Sequence, residues 1–296
     1  MRLGRTRAER GRAAGPQRRT AAVPPVPPAT SAVAPTFLIV GVMKGGTSSL
    51  HWYLGQHPEV FVTPKPHKEL HYFDQKAEHR KAQRTRYLEH FAAAAAFPAR
   101  GESTPSYCFV PDAVAAIAAF EPRMRLILML RDPVDRAISH IEHRGREARR
   151  RPRRLTQGEV WDELLEDLRT PYWRVGPRLG NQRGYHARGH YHEQLRRIYE
   201  HFPQEQVLVA RLEDLQADPH AVLRRVTDFL GVAPHRFEDL EPRNVNRYER
   251  PAEDVYEYLA GYYRPHNQIL TRDFGIRTDD WRAPSPSPPA APARPG

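Results

Sequence analysis

The chain has 296 residues, 40% of them hydrophobic, which suits one α/β body with a sizeable core. No apolar run approaches the length of about 18 residues that a membrane span needs, and the single cysteine, Cys108, excludes an intrachain disulfide. The net charge of +11 is concentrated: residues 1–35 carry +6, residues 144–154 carry another +6, and the rest stands at −1, which argues against a specific nucleic-acid-binding body.

In chain order, residues 1–35 are rich in Arg, Ala and Pro and read as a disordered basic tail. Six prolines interrupt the place where a signal peptide would have its apolar core, so a soluble, cytoplasmic protein is expected. The folded domain is expected over 36–282. Residues 37–40 read as a strand, 47–56 as a helix and 60–63 as a short strand. Residues 112–120 read as an alanine-rich helix capped by Asp112. Residues 125–130 form an apolar strand, continued by a helix over 134–143 and a basic flexible insertion over 144–157. An amphipathic helix over 191–201 turns Leu195, Ile198 and Tyr199 to one side. A strand over 207–210, a helix over 221–230 stopped by Gly231, and a helix over 256–263 follow. Residues 283–296 read as a second disordered, proline-rich tail. The alternation predicts a parallel sheet with helices on both faces, with ligands at the carboxyl ends of its strands.

The most informative stretch is Phe37-Leu-Ile-Val-Gly-Val-Met-Lys-Gly-Gly-Thr-Ser-Ser-Leu50. An apolar strand runs into glycines, a lysine and three hydroxyl residues, then a helix. Backbone N–H groups at such a helix start hold phosphate. The pattern G-x-x-x-x-G-K-[ST] of nucleotide-triphosphate loops requires lysine at position 47, where this chain has threonine; its lysine is Lys44. A P-loop kinase is therefore the alternative enzyme, with a basic nucleic-acid-binding protein as the alternative from another class.

Lys44-Gly-Gly-Thr-Ser-Ser-Leu resembles the 5′-phosphosulfate loop of sulfotransferases that use 3′-phosphoadenosine 5′-phosphosulfate (PAPS). Glu69-Leu-His-Tyr-Phe-Asp74 resembles the family's E-x-H-F-F-D segment. Gly101-Glu-Ser-Thr-Pro-Ser-Tyr107 resembles its E-K-T-P-x-Y segment, and Leu126 to Ser139 resembles its 3′-phosphate strand and loop. The likeness is to the branch containing the heparan sulfate N- and 3-O-sulfotransferases. It implies a P-loop-NTPase-like three-layer α/β sandwich, with a central parallel sheet flanked by helices. It also implies PAPS as co-substrate, no metal, and a carbohydrate or small-molecule acceptor.

The resemblance assigns roles residue by residue. Glu69 is the general base. His71 orients Glu69 or touches the acceptor, with a packing or surface role as the competing reading. Lys44 contacts the bridging oxygen, where charge grows in the transition state. Gly45, Gly46, Thr47, Ser48 and Ser49 surround the 5′-phosphate. Arg131 and Ser139 bind the 3′-phosphate, unless Arg131 is spent on Asp132 or Asp135. Arg136 is a weaker candidate or a helix-surface charge, and Arg247 or Arg250 closes over the nucleotide. One departure stands out: Ser103 replaces the family's lysine. Either Lys44 suffices, or Lys68 or an arginine substitutes, or the acceptor chemistry differs.

Overall fold

A computed structural model describes residues 33–149, 155–169, 184–243 and 253–282. Five parallel strands form its sheet: β1 (Phe37–Gly41), β2 (Val60–Val62), β3 (Ala99–Ser103), β4 (Arg125–Leu130) and β5 (Val207–Arg211). Their order is β2-β3-β1-β4-β5. β1 pairs with β3 through Ile39 and Ser103, and with β4 through Ile39 and Ile127. After β1 the chain leaves towards β2 and β3; after β3 it crosses to β4 on the other side. This reversal opens a crevice at the carboxyl ends of β1, β3 and β4, where open α/β sheets bind ligands.

The central strands are apolar at nearly every position because both faces are covered. On one face Leu38, Val40, Leu126, Leu128 and Leu130 pack with α3 (Pro111–Phe120) and α6 (Tyr191–Tyr199). On the other, Phe37, Ile39, Ile127 and Met129 pack against α1 (Thr47–Leu54) and α8 (Pro219–Leu230). Each such side chain contributes about 1.5–3 kcal/mol by leaving water. A third cluster joins α4 (Pro133–Arg149), α5 (Gln157–Arg169) and α9 (Glu253–Phe274) around Ile138, Leu164 and Tyr263.

Several expectations need correction. Val33 packs against the core and Pro35 is buried, so the body starts before residue 36. The first residue flanking α3 is Val110, with Pro111 opening the helix; Asp112 lies in its first turn, favourable to the helix dipole but not the cap. α4 runs past residue 143 to Arg149, so the start of the basic segment is helical; Arg, Glu and Ala continue a helix readily. α9 is much longer than 256–263 and contains Pro265. Two further helices, α2 (Ala77–Glu89) and α7 (Leu212–Ala217), complete the set among the described residues. The helix before Gly231 ends as expected, with that glycine left-handed at φ 69°. The tails 1–32 and 283–296, and residues 150–154, lie outside the described residues.

Candidate active site

The phosphate loop forms because β1 must turn sharply into α1. Gly46 takes φ 89° at the start of α1. A Cβ on Gly45 would collide with the carbonyl oxygen of Met129, so only glycine lets the loop lie against β4. The Val42 N–H donates to Met129 O at 2.9 Å, and the Gly45 N–H to Val42 O at 2.9 Å. Lys44 itself is left-handed, at φ 68°. The first turn of α1, from Thr47, thus points its N–H groups and positive dipole end into the crevice.

Arg131 follows β4 and reaches this loop. Its Nη1 donates to Lys44 O at 3.3 Å, and its Nη2 lies 3.7 Å from Asp135. The pairing with Asp135 is the structural salt bridge that the sequence offered as the alternative role of Arg131. Ser139 is buried on α4. Arg136 is not a helix-surface charge; it is fully buried, and its Nη2 donates to the Tyr185 carbonyl. Arg247 and Arg250 fall outside the described residues.

The Ser49 hydroxyl is engaged by the chain's own backbone. Its Oγ accepts the Arg243 N–H at 2.9 Å and donates to the Arg243 carbonyl at 3.5 Å. Trp52 donates to Asp239 at 3.1 Å, Tyr53 to Leu240 O at 2.8 Å and Gln56 to Asp239 O at 2.8 Å. The Arg243 guanidinium lies 4.2 Å over the Trp52 ring. Residues 239–243 are thereby strapped along α1.

Across the crevice, the segment Lys68–Asp74 is stitched to the end of β3. Thr104 Oγ1 is the hub: it accepts the Leu70 and His71 N–H groups at 3.1 and 3.4 Å and donates to Glu102 Oε2 at 2.6 Å. The Ser103 N–H donates to Lys68 O at 3.3 Å. On this frame lies a chain of charges. Lys68 Nζ is 2.8 Å from Glu69 Oε1, and His71 Nε2 is 3.5 Å from Glu69 Oε2. His71 Nδ1 is 2.7 Å from Asp74 Oδ2, to which Ser106 Oγ donates at 2.6 Å.

These contacts set the protonation states. Burial, the largest influence on Glu69, pushes its carboxyl up; the His71 hydrogen bond and the Lys68 charge outweigh it and hold the group at about 2. Burial pulls His71 down, but its hydrogen bonds to Asp74 and Glu69 lift it to about 10. His71 is thus an imidazolium between two carboxylates, donating from both ring nitrogens. Glu102 differs: burial pushes it to about 7 against hydrogen bonds from Thr104 and Tyr107, and no part of it is exposed. Asp74, Thr104 and Ser106 were quoted in the sequence motifs without a role. The i, i+3 spacing of His71 and Asp74 was the available signal for the first; the hub role of Thr104 had none.

A parallel sheet whose first strand turns through a glycine loop into a helix defines the class, a P-loop-type α/β protein. The chain belongs to the sulfotransferase family: residues 34–248 match the family described as "Sulfotransferase domain". It is 25% identical to the membrane-associated sulfotransferase kil1 of Dictyostelium discoideum, over 81% of this chain and 66% of that protein. It is 29% identical to heparan sulfate glucosamine 3-O-sulfotransferase 3B1 of Mus musculus, over 81% of this chain and 64% of that one. The chain therefore spans slightly less than two thirds of these relatives. A crystal structure of a sulfotransferase from Alicyclobacillus acidocaldarius superposes with a TM-score of 0.69 at 30% identity, covering 85% of this chain and all of that one. Among the described residues no helix is long and apolar enough to cross a membrane.

Proposed function

We propose that the protein transfers the sulfuryl group of PAPS to a hydroxyl or amine of a carbohydrate or of a glycosylated or small-molecule acceptor. The observation that carries this reading is the pairing, at one end of the sheet, of a glycine phosphate loop with an anionic Glu69 on the loop after β2, which is hydrogen-bonded to the end of β3. The first supplies what a phosphosulfate needs, the second what a nucleophile needs. The heparan sulfate relatives favour a carbohydrate acceptor.

In this reading the acceptor oxygen or nitrogen attacks sulfur in line with the bridging oxygen. Glu69 takes the acceptor's proton, and Asp74 and Ser106 fix His71, which in turn orients Glu69. Lys44 meets the charge that develops on the bridging oxygen. Thr47 and Ser48, with the loop's N–H groups, hold the 5′-phosphate. Arg131 and Ser139 hold the 3′-phosphate, with Arg247 or Arg250 closing over it. The Asp135 and Lys44 carbonyl contacts of Arg131 keep its guanidinium beside the loop until the anion competes for it. Glu102 is assigned a scaffold role, since a fully buried carboxyl bonded to Thr104 has no path to an acceptor.

The test is a transfer assay with labelled PAPS across a panel of saccharide and small-molecule acceptors, with calorimetry of adenosine 3′,5′-bisphosphate against ATP. Label transfer to an acceptor and tighter binding of the bisphosphate are expected. Equal or reversed nucleotide preference would overturn the donor assignment.

A further inference from the structure

Lys68 stands beside Glu69 at the carboxyl end of β3. Its ammonium is 2.8 Å from Glu69 Oε1, and its side chain is only 10% exposed. Its carbonyl accepts the Ser103 N–H and the Thr63 hydroxyl, each at 3.3 Å, so its backbone is pinned at the carboxyl end of β3. On the far side stands α1. His51 of that helix bonds through Nε2 to the Thr63 carbonyl at 3.0 Å. Burial first, and then the Lys68 charge, push His51 down to about 4. The Lys68 cation is therefore felt both by Glu69 and by the helix that follows the phosphate loop. Ser103, beside it, is fully buried, and its hydroxyl has no hydrogen-bond partner among the described residues. That strand end offers no cation of its own.

This arrangement sets two requirements against each other. A carboxylate paired with both Lys68 and His71 is ionised but holds a proton weakly, and base catalysis needs proton affinity. Sulfuryl transfer also needs cations on oxygens whose charge changes in the transition state. One movement meets both. We propose that Lys68 is a catalytic cation that changes partners: it pairs with Glu69 in the donor-free enzyme and turns to the sulfuryl oxygens when PAPS binds, releasing Glu69 to act as base. The proposal rests on the sulfuryl-transfer reading above. The lysine stem, with its rotatable point charge, has the freedom that such a change of partner needs.

In the step itself, the bond from the acceptor oxygen or nitrogen to sulfur forms. The bond from sulfur to the bridging oxygen breaks, and its electron pair stays on the 5′-phosphate. The acceptor's proton passes to Glu69, while Lys68 keeps its own protons throughout. The device imposes an order: the base becomes effective only after the donor has arrived.

The experiment uses the full chain and its Lys68→Met and Lys68→Gln variants, the second covering any failure of the first to fold. Turnover is measured with labelled PAPS and a verified acceptor. Calorimetry without acceptor gives the dissociation constants of PAPS and of adenosine 3′,5′-bisphosphate, which lacks the sulfuryl group. Turnover is expected to fall by about 10²-fold, the scale for removing one transition-state donor. Bisphosphate affinity should stay within a few-fold, while PAPS loses affinity relative to it. Turnover close to wild type, or parallel loss of both nucleotides, would overturn the proposal. If the wild-type chain binds neither nucleotide, the sulfuryl-transfer reading falls and this proposal with it. If the wild type turns over and the variants do so equally, the Lys68 role alone is refuted.

Discussion

The hydroxyl of Ser49 grips the backbone of Arg243, accepting its N–H at 2.9 Å across 194 residues of sequence. A serine in the first turn of the phosphate-loop helix thus fastens the segment that runs on towards Arg247. In this turn the Ser49 hydroxyl anchors the chain at both polar groups of the Arg243 backbone.

Ser49→Ala should accordingly cost about 1 kcal/mol of stability, the usual net value of one such hydrogen bond. A urea denaturation midpoint measures it. A neutral substitution would mean that Trp52, Tyr53 and Gln56 hold the strap without it.

Arg131→Ala should weaken adenosine 3′,5′-bisphosphate binding by about 1.5–3 kcal/mol, the scale of a hydrogen bond to a charged group. Calorimetry reads this directly. The same variant loses the Lys44 carbonyl contact, so a small stability loss should accompany it. Unchanged affinity would move the 3′-phosphate site away from Arg131.

Much of this was legible in local patterns. β1 and β4 announce themselves as apolar runs, and the glycines after β1 mark the phosphate loop without any partner being known. β3 does not: Ala-Arg-Gly-Glu-Ser has no apolar run, and its strand form comes from lying between β1 and β2. α2 is equally hidden, since among its residues only Tyr87 is buried and little periodicity results. In the site, Glu69 and His71 share a short segment and could be read together. The grip of Ser49 on Arg243, and that of Thr104 on Leu70 and His71, join residues 194 and 33 or 34 positions apart, so no spacing rule reveals them.

The His71 pair predicts a stability loss on the alkaline side. The folded-state value of about 10 lies above the unfolded value near 6.5, so the imidazolium's contribution is complete below about 6.5 and disappears as pH rises through about 10. Glu69 and Asp74 are the carboxylates that face it, with the Lys68 cation on the far side of Glu69. The difference in unfolding free energy between wild type and His71→Asn should therefore shrink between pH 7 and pH 10. A difference that stays constant over that range would show that His71 is held neutral.

Glu69→Gln separates chemistry from binding. Glutamine keeps the size of the side chain but cannot accept the acceptor's proton, and loss of a general base typically costs ~10²–10⁴ in rate. Glu69 sits on the loop after β2, apart from the phosphate loop and from Arg131, so the bisphosphate dissociation constant should remain within a few-fold. Glu102→Gln is the control. Glu102 also lies at this end of the sheet, and burial brings it to about 7, a value suited to a base. Yet it is fully buried and bonded to Thr104, so its loss should appear as lower stability, with turnover of the folded fraction largely kept. If Glu69→Gln retains most activity while Glu102→Gln does not, the base is Glu102, and the charged chain from Lys68 to Asp74 serves only to hold the loop.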